Sequence, residues 1–289
     1  MPAATTARAK VSLPASEVLP LHSAQTGQDY EIFVSLPFSY RRTPGKTYPT
    51  VYVLDGNPFF GLVAHIVRIL DLGAPFPEVI VAGIGYPLDE TSDTYRREFV
   101  RRRILDFTPV VDRQFEQDSC AFHGLDRVET GGAGRFLRFI AEELVPAVES
   151  EYRADPADRT LAGHSLGGMF TLYALFQEPR IFHRFVSGSP ALGYAGNALF
   201  AVEEEYARSH TDLPAALFLA IGDLEEVLNM SNPLDATVLV SHFYRFSATL
   251  ERRGYPSLQL KRQIFPGYAH LNIPAPLFQA GLESVFGES

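Results

Sequence analysis

The chain has 289 residues and a mass of 32.0 kDa, enough to bury a large core as one α/β domain or as two smaller ones. Apolar residues make up 46% and charged residues 20%, an ordinary globular balance, and a net charge of −9 argues against a nucleic-acid binder, which would carry a basic face. The one cysteine, Cys120, excludes an internal disulfide framework and a multi-cysteine zinc site. The first residues contain no continuous apolar run of the kind a secretory signal needs, and no stretch approaches the ~18 apolar residues of a membrane span. A cytoplasmic protein without membrane attachment is therefore expected.

Taken in order, residues 1–15 read as a loose arm, small and polar with two prolines. Between 17 and 37, two strand-like runs flank Gln25-Thr26-Gly27-Gln28 and predict an antiparallel hairpin. Pro44-Gly45 marks a turn. Residues 49–54, P-T-V-Y-V-L, are a continuous apolar, β-branched run, the pattern of a strand covered on both faces. They end in Asp55-Gly56-Asn57, where backbone N–H groups would face a ligand at the carboxyl end of a sheet. A helix is expected over 59–72 and another buried strand over 78–84. Residues 85–130 show no sustained period and include Arg96, Arg97, Arg101, Arg102 and Arg103. So long an irregular stretch is usually functional, and a lid or active-site loop is expected there. Over 132–152, Phe136, Phe139, Ile140, Leu144 and Val148 recur at helical spacing.

The following stretch, R-T-L-A-G-H-S-L-G-G-M (159–169), holds Gly163-x-Ser165-x-Gly167. By chance such a pattern arises in roughly one chain in ten of this size. Here it follows a strand-like run and precedes a helix-like one, which is the context of the nucleophile elbow of α/β-hydrolases. A serine hydroxyl becomes a useful nucleophile when a sharp turn exposes it to substrate and base, and the helix behind it points free N–H groups at any oxyanion. Beyond the elbow come a strand over 182–187, a helix over 199–210 and a strand over 215–221 ending in Gly222-Asp223-Leu224-Glu225-Glu226. A helix over 235–253, a strand over 258–265 ending in Pro266-Gly267-Tyr268-Ala269-His270, and a helix over 274–286 complete the chain. Alternating strands and helices predict an α/β fold with a mostly parallel central sheet and helices on both faces. No linker or repeat interrupts residues 1–289, which read as a single domain.

Serine acyl transfer needs a base, an acid to orient it, and oxyanion donors. In α/β-hydrolases the order along the chain is serine, acid, histidine, each after a strand. His164 lies inside the elbow, His183 precedes any candidate acid, and His210 and His242 fall in helical stretches. His270, after the last strand, is the expected base. A rate that rises with pH across the range in which imidazoles deprotonate follows from that role. For the acid, Asp223, Glu225 and Glu226 all lie on the right loop, and spacing alone does not rank them.

The ordered set L-D-G (54–56), D-F-T-P (106–109), G-G-A followed by R-F-L-R-F-I (131–140), A-G-H-S-L-G-G (162–168), S-G-S-P (187–190) and G-D-L-E-E (222–226) resembles the esterase family that includes enterochelin (siderophore) esterases, esterase D-like enzymes and feruloyl esterases. The similarity spans about residues 20–285 and is greatest to the enterobactin-esterase branch. It implies an α/β-hydrolase fold and hydrolysis of carboxylic esters through an acyl-enzyme, with no metal or organic cofactor. The implied partner is a small-molecule ester: aryl, siderophore-like or macrocyclic. The family places its acid three residues after the glycine that ends the strand, which ranks Glu225 ahead of Glu226 and Asp223. In some siderophore-esterase relatives a serine–histidine dyad does most of the work, which would make Glu225 auxiliary. The implied oxyanion donors are the N–H of Leu166 and one from Gly56-Asn57, Asn57 first.

The chain departs from its relatives at Ser189-Pro190-Ala191-Leu192-Gly193-Tyr194, where siderophore esterases tend to carry S-P-S-x-W-W. It has no tryptophan at all, which weighs against a catecholate substrate and leaves Tyr194 to fill part of the space. Arg101 and Arg103 are candidate anchors for a carboxylate or phenolate on the substrate, against the plainer reading of a solvated basic face. An acyltransferase using the same residues, or a hydrolase-fold binding protein without turnover, are the rival readings.

Overall fold

A computed structural model describes residues 12–228 and 240–287. Its core is an eight-stranded sheet: β1 (Ser16–His22), β2 (Asp29–Ser35), β3 (Tyr48–Val53), β4 (Ile80–Gly85), β5 (Ala154–His164), β6 (Arg184–Gly188), β7 (Ala215–Gly222) and β8 (Leu258–Phe265). They lie in the order β1-β2-β4-β3-β5-β6-β7-β8. Only β2 runs against its neighbours, so the hairpin expected near the start is present and docks on β4. From β4 to β8 every pairing is parallel.

The continuous apolar runs are explained by burial on both faces. Along β3, Val51 and Val53 point to a core with Val63, Val67, Phe278 and Leu282, from α1 (Gly56–Leu70) and α10 (Pro274–Phe286). Tyr52 and Leu54 point to the opposite core. That face is covered by α2 (Tyr95–Phe107), a helix from Ala133 to Glu151, α6 (Leu166–Leu175) and α9 (Val240–Arg253). α9 matches the helix expected over 235–253 from residue 240 onward; residues 235–239, like most of the N-terminal arm, lie outside the described residues.

Two differences from the sequence reading have physical causes. Residues 85–130, which show no period, contain α2 and α3 (Arg113–His123). α2 fully buries only Ile104, Asp106 and Phe107, with Phe99 and Val100 half-buried against the same core; seven of its thirteen residues are charged, so it packs on its neighbours without a clean apolar stripe to announce it. α3 carries readable end signals instead. Asp112 accepts a hydrogen bond from the Phe115 N–H at 3.0 Å, and Gly124 closes the helix with φ 64°.

The helix over 132–152 is continuous but mixed: α4 (Ala133–Phe139) widens into a π-turn (Ile140–Leu144) before α5 (Val145–Glu151). Pro146 has no N–H and its ring crowds the carbonyl four residues back, which the wider turn relieves. The remaining helices are α7 (Tyr194–Ser209), which has non-helical residues at 195–197, and the short α8 (Glu225–Leu228). No helix among the described residues is long and apolar enough to cross a membrane.

Candidate active site

β5 ends at His164, and the chain turns at Ser165 with φ 63° and ψ −124° before entering α6. For a non-glycine residue this is a strained conformation, kept only where the surroundings fix it. Here they do. The Ser165 N–H donates to the Gly188 carbonyl at 2.9 Å, and the Ser165 carbonyl accepts from Met169 at 2.9 Å and Ala191 at 3.3 Å. A Cβ at Gly163 would sit 2.4 Å from the Gly167 carbonyl oxygen, so the strand and the helix can close on each other only if glycine occupies that position.

The Ser165 Oγ lies 3.0 Å from His270 Nε2, across 105 positions of sequence. His270 follows β8, and its Nδ1 lies 2.8 Å from Glu225 Oε2. Glu225 is fully buried, and its other oxygen accepts from the Ser189 hydroxyl at 2.6 Å and the Gly222 N–H at 2.8 Å. The three acids that spacing could not rank are separated here. Asp223 accepts from the Gly267 N–H at 2.7 Å, Glu226 accepts from the Ser241 N–H at 2.7 Å, and Glu225 alone of the three meets the imidazole. Backbone bonds from Asp223 to Phe265 and from Leu224 to Tyr268 tie the acid loop to the base loop.

His164 stays out of the relay. Its ring centroid is 4.5 Å from that of His270, and its edge meets Phe59. Burial, followed by the nearby His270 and Arg103, pushes its pKa well below the ordinary imidazole value, so it remains neutral.

Leu166 opens α6 and Asn57 lies in the first turn of α1, where N–H groups have no partner within their own helix. β3 and β5 are adjacent, and the Leu54 N–H donates to the Ala162 carbonyl at 2.9 Å, so the 55–57 turn and the elbow leave neighbouring strand ends. Gly56 is sterically required: its Cβ would lie 2.7 Å from the backbone of Gly83.

The expected substrate contacts fare differently. Tyr194 is buried in the interior: its hydroxyl donates to the Val110 carbonyl at 2.8 Å, its ring meets Phe115, and burial raises its pKa to about 12. Arg101 lies on the exposed face of α2, paired with Glu98 at 2.6 Å. Arg103 points the other way and grips Asp55 through two bonds, Nε–Oδ1 at 2.7 Å and Nη2–Oδ2 at 2.8 Å. The side-chain contacts of Asp55 and Ser189 have no local signal in the sequence, since Arg103 lies 48 positions from Asp55 and Glu225 lies 36 from Ser189. Among the described residues no cluster of three or more His, Cys, Asp or Glu is arranged to hold a metal.

A serine at a strained turn, an imidazole and a buried carboxylate in hydrogen-bonded sequence can remove the serine proton and hold the resulting charge. The strand order, the one reversed strand and the elbow after β5 define an α/β-hydrolase fold. The family model described as "Putative esterase" matches residues 23–215, and the chain belongs to that family of ester hydrolases. It is similar to the ferri-bacillibactin esterase BesA of Bacillus subtilis, 33% identical over 222 residues that cover 74% of this chain and 72% of that one. It is also similar to the siderophore triacetylfusarinine C esterase of Aspergillus fumigatus, 31% identical over 75% of this chain and 70% of that one. Among solved structures it resembles the siderophore hydrolase EstB from Aspergillus nidulans, with a TM-score of 0.77, 27% identity, and coverage of 96% and 98% of the two chains.

Proposed function

We propose that this protein is a serine esterase acting from one domain through an acyl-enzyme, with Ser165 as nucleophile, His270 as base and acid, and Glu225 orienting His270. The observation that carries this reading is the unbroken relay from Ser165 Oγ through His270 to the buried Glu225 carboxylate. Ser165 Oγ attacks the ester carbonyl while its proton passes to His270 Nε2. The oxyanion accepts hydrogen bonds from the N–H groups of Leu166 and of the Gly56-Asn57 turn. The alcohol leaves with the proton from His270. Water then attacks the acyl-serine by the same route, giving the acid and restoring the hydroxyl. Glu225 accepts the Nδ1 hydrogen and so fixes which imidazole nitrogen faces the serine. The relatives' substrates support siderophore-like esters, with aryl and macrocyclic esters in the same class.

The test is hydrolysis of a panel of p-nitrophenyl and aryl esters by wild type beside Ser165→Ala, followed by siderophore esters. Loss of the hydroxyl should lower kcat/KM by about 10⁴-fold or more. Turnover that survives the substitution, or a wild type that neither turns over nor is labelled by a fluorophosphonate, would exclude the serine mechanism.

A further inference from the structure

The turn between β3 and α1 carries more fixings than a short connection needs. Asp55 sits in the left-handed region at φ 53° although it is not glycine. Its carboxylate, 1% exposed, is gripped by both the Nε and Nη2 of Arg103, 48 positions away on α2. Two residues on, the Asn57 carboxamide makes a second two-point grip, this time on backbone. Its Oδ1 accepts from the Tyr86 N–H at 2.8 Å and its Nδ2 donates to the Tyr86 carbonyl at 3.0 Å. The Tyr86 phenol is anchored in turn on Asp106 at 3.0 Å. Between the two grips, Gly56 is pressed against Gly83 and Ile84. The Asp55 and Asn57 side chains are thus spent on holding the turn, and its backbone N–H groups remain to meet a ligand.

We propose that Arg103 and the Asn57 side chain are positioning residues for the oxyanion turn, fixing the 55–57 backbone so that its N–H groups meet the carbonyl oxygen of an ester held at Ser165. This rests on the reading of Ser165 as nucleophile. It reassigns Arg103 from substrate anchor to a residue that acts through Asp55. Donors of this kind work by being in place before charge develops, so a shift of about an ångström is felt in the rate rather than in binding.

The experiment compares an aryl ester with its thionoester in the full-length protein, using wild type, Ser165→Ala, Arg103→Met, Arg103→Lys, Asn57→Ala and Asn57→Ser. Arg103→Met and Asn57→Ala should lower kcat by about 10²-fold with KM within about threefold of wild type. The preference for ester over thionoester should shrink in step, because sulfur accepts the N–H bonds poorly and loses less when they are misplaced. Arg103→Lys keeps the charge without the fork and should recover only part of the rate. If the larger substitutions do not fold, Arg103→Lys and Asn57→Ser carry the decision, with lowered kcat and a reduced ester preference expected in both. A loss confined to KM would return Arg103 to the substrate and overturn the proposal, as would an unchanged ester preference or wild-type kcat. Turnover that persists in Ser165→Ala overturns the nucleophile reading and the positioning role with it. Ser165-dependent turnover that is indifferent to the other variants overturns the positioning role alone.

Discussion

Glu225 and Asp106 are both buried carboxylates held by three polar contacts, yet they sit in different company. Glu225 lies on the loop after β7 and faces an imidazole, a hydroxyl and a backbone N–H. Asp106 lies inside α2, under the β2 hairpin, and faces the phenols of Tyr30 at 2.9 Å and Tyr86 at 3.0 Å and the Gln28 amide at 3.2 Å. Burial pushes the Asp106 carboxyl up to about 7, against the pull of those three hydrogen bonds. The difference between them is whether a partner can take up charge during a reaction. An imidazole can become a cation beside its carboxylate, whereas phenols and an amide only donate hydrogen bonds. A buried carboxylate is therefore no catalytic signal until its neighbour is known.

The sharpest way to break this contrast is to neutralise both acids in turn. Glu225→Gln should lower kcat/KM by about 10²–10⁴-fold, because an amide cannot hold the same imidazole tautomer or balance its charge. A rate within a few-fold of wild type, in steady-state assays with an aryl ester, would show that a serine–histidine dyad suffices.

Asp106→Asn should act on stability. A carboxyl whose folded pKa is raised keeps its proton longer in the folded chain than in the unfolded one. Stability then falls as pH rises from the ordinary carboxylate range to about 7, and the full cost is felt above that. Urea unfolding between about pH 4 and 8 should show wild type losing on the order of a few kcal/mol that Asp106→Asn does not lose. Parallel pH profiles for the two proteins would contradict the raised value.

The smallest effect is expected at Ser189. Ser189→Ala removes one of two fixed donors to Glu225 Oε1 and leaves the Gly222 N–H, so kcat/KM should fall about tenfold. No change would mean that the backbone donor alone holds the carboxylate.

Much of the sheet was legible, because strands buried on both faces read as unbroken apolar runs whatever their order. The elbow was legible because steric need writes glycine at fixed offsets from the serine. That His270 would come to lie beside Ser165 was expected from chain order and from its place after the last strand. α2 was not legible, since its charged sequence shows no clean apolar stripe and its start no side-chain cap. Nor was Arg103: nothing local says that its guanidinium turns to Asp55 while Arg101, two residues earlier, turns to solvent and Glu98. The surroundings of Tyr194 were hidden for the same reason, because the sequence places it beside the S-G-S-P turn while the fold carries its ring into the interior. Glu225 could be ranked by family resemblance but not by physics, as burial separates it from Asp223 and Glu226 and burial is a property of the closed fold.

The loops after β5, β6, β7 and β8 are stitched edge to edge. Ser165 bonds to Gly188, Ser189 to Ala220 and Glu225, Asp223 to Phe265, and Gly267 back to Asp223. Every stitch falls within a few residues of a strand end. Ser165, Glu225 and the turn that leads to His270 thus ride on a hem along the sheet, and whatever lies outward of it can lengthen, shorten or change composition without altering their spacing. A lineage could exchange the walls of its substrate cleft many times over and inherit the same hem.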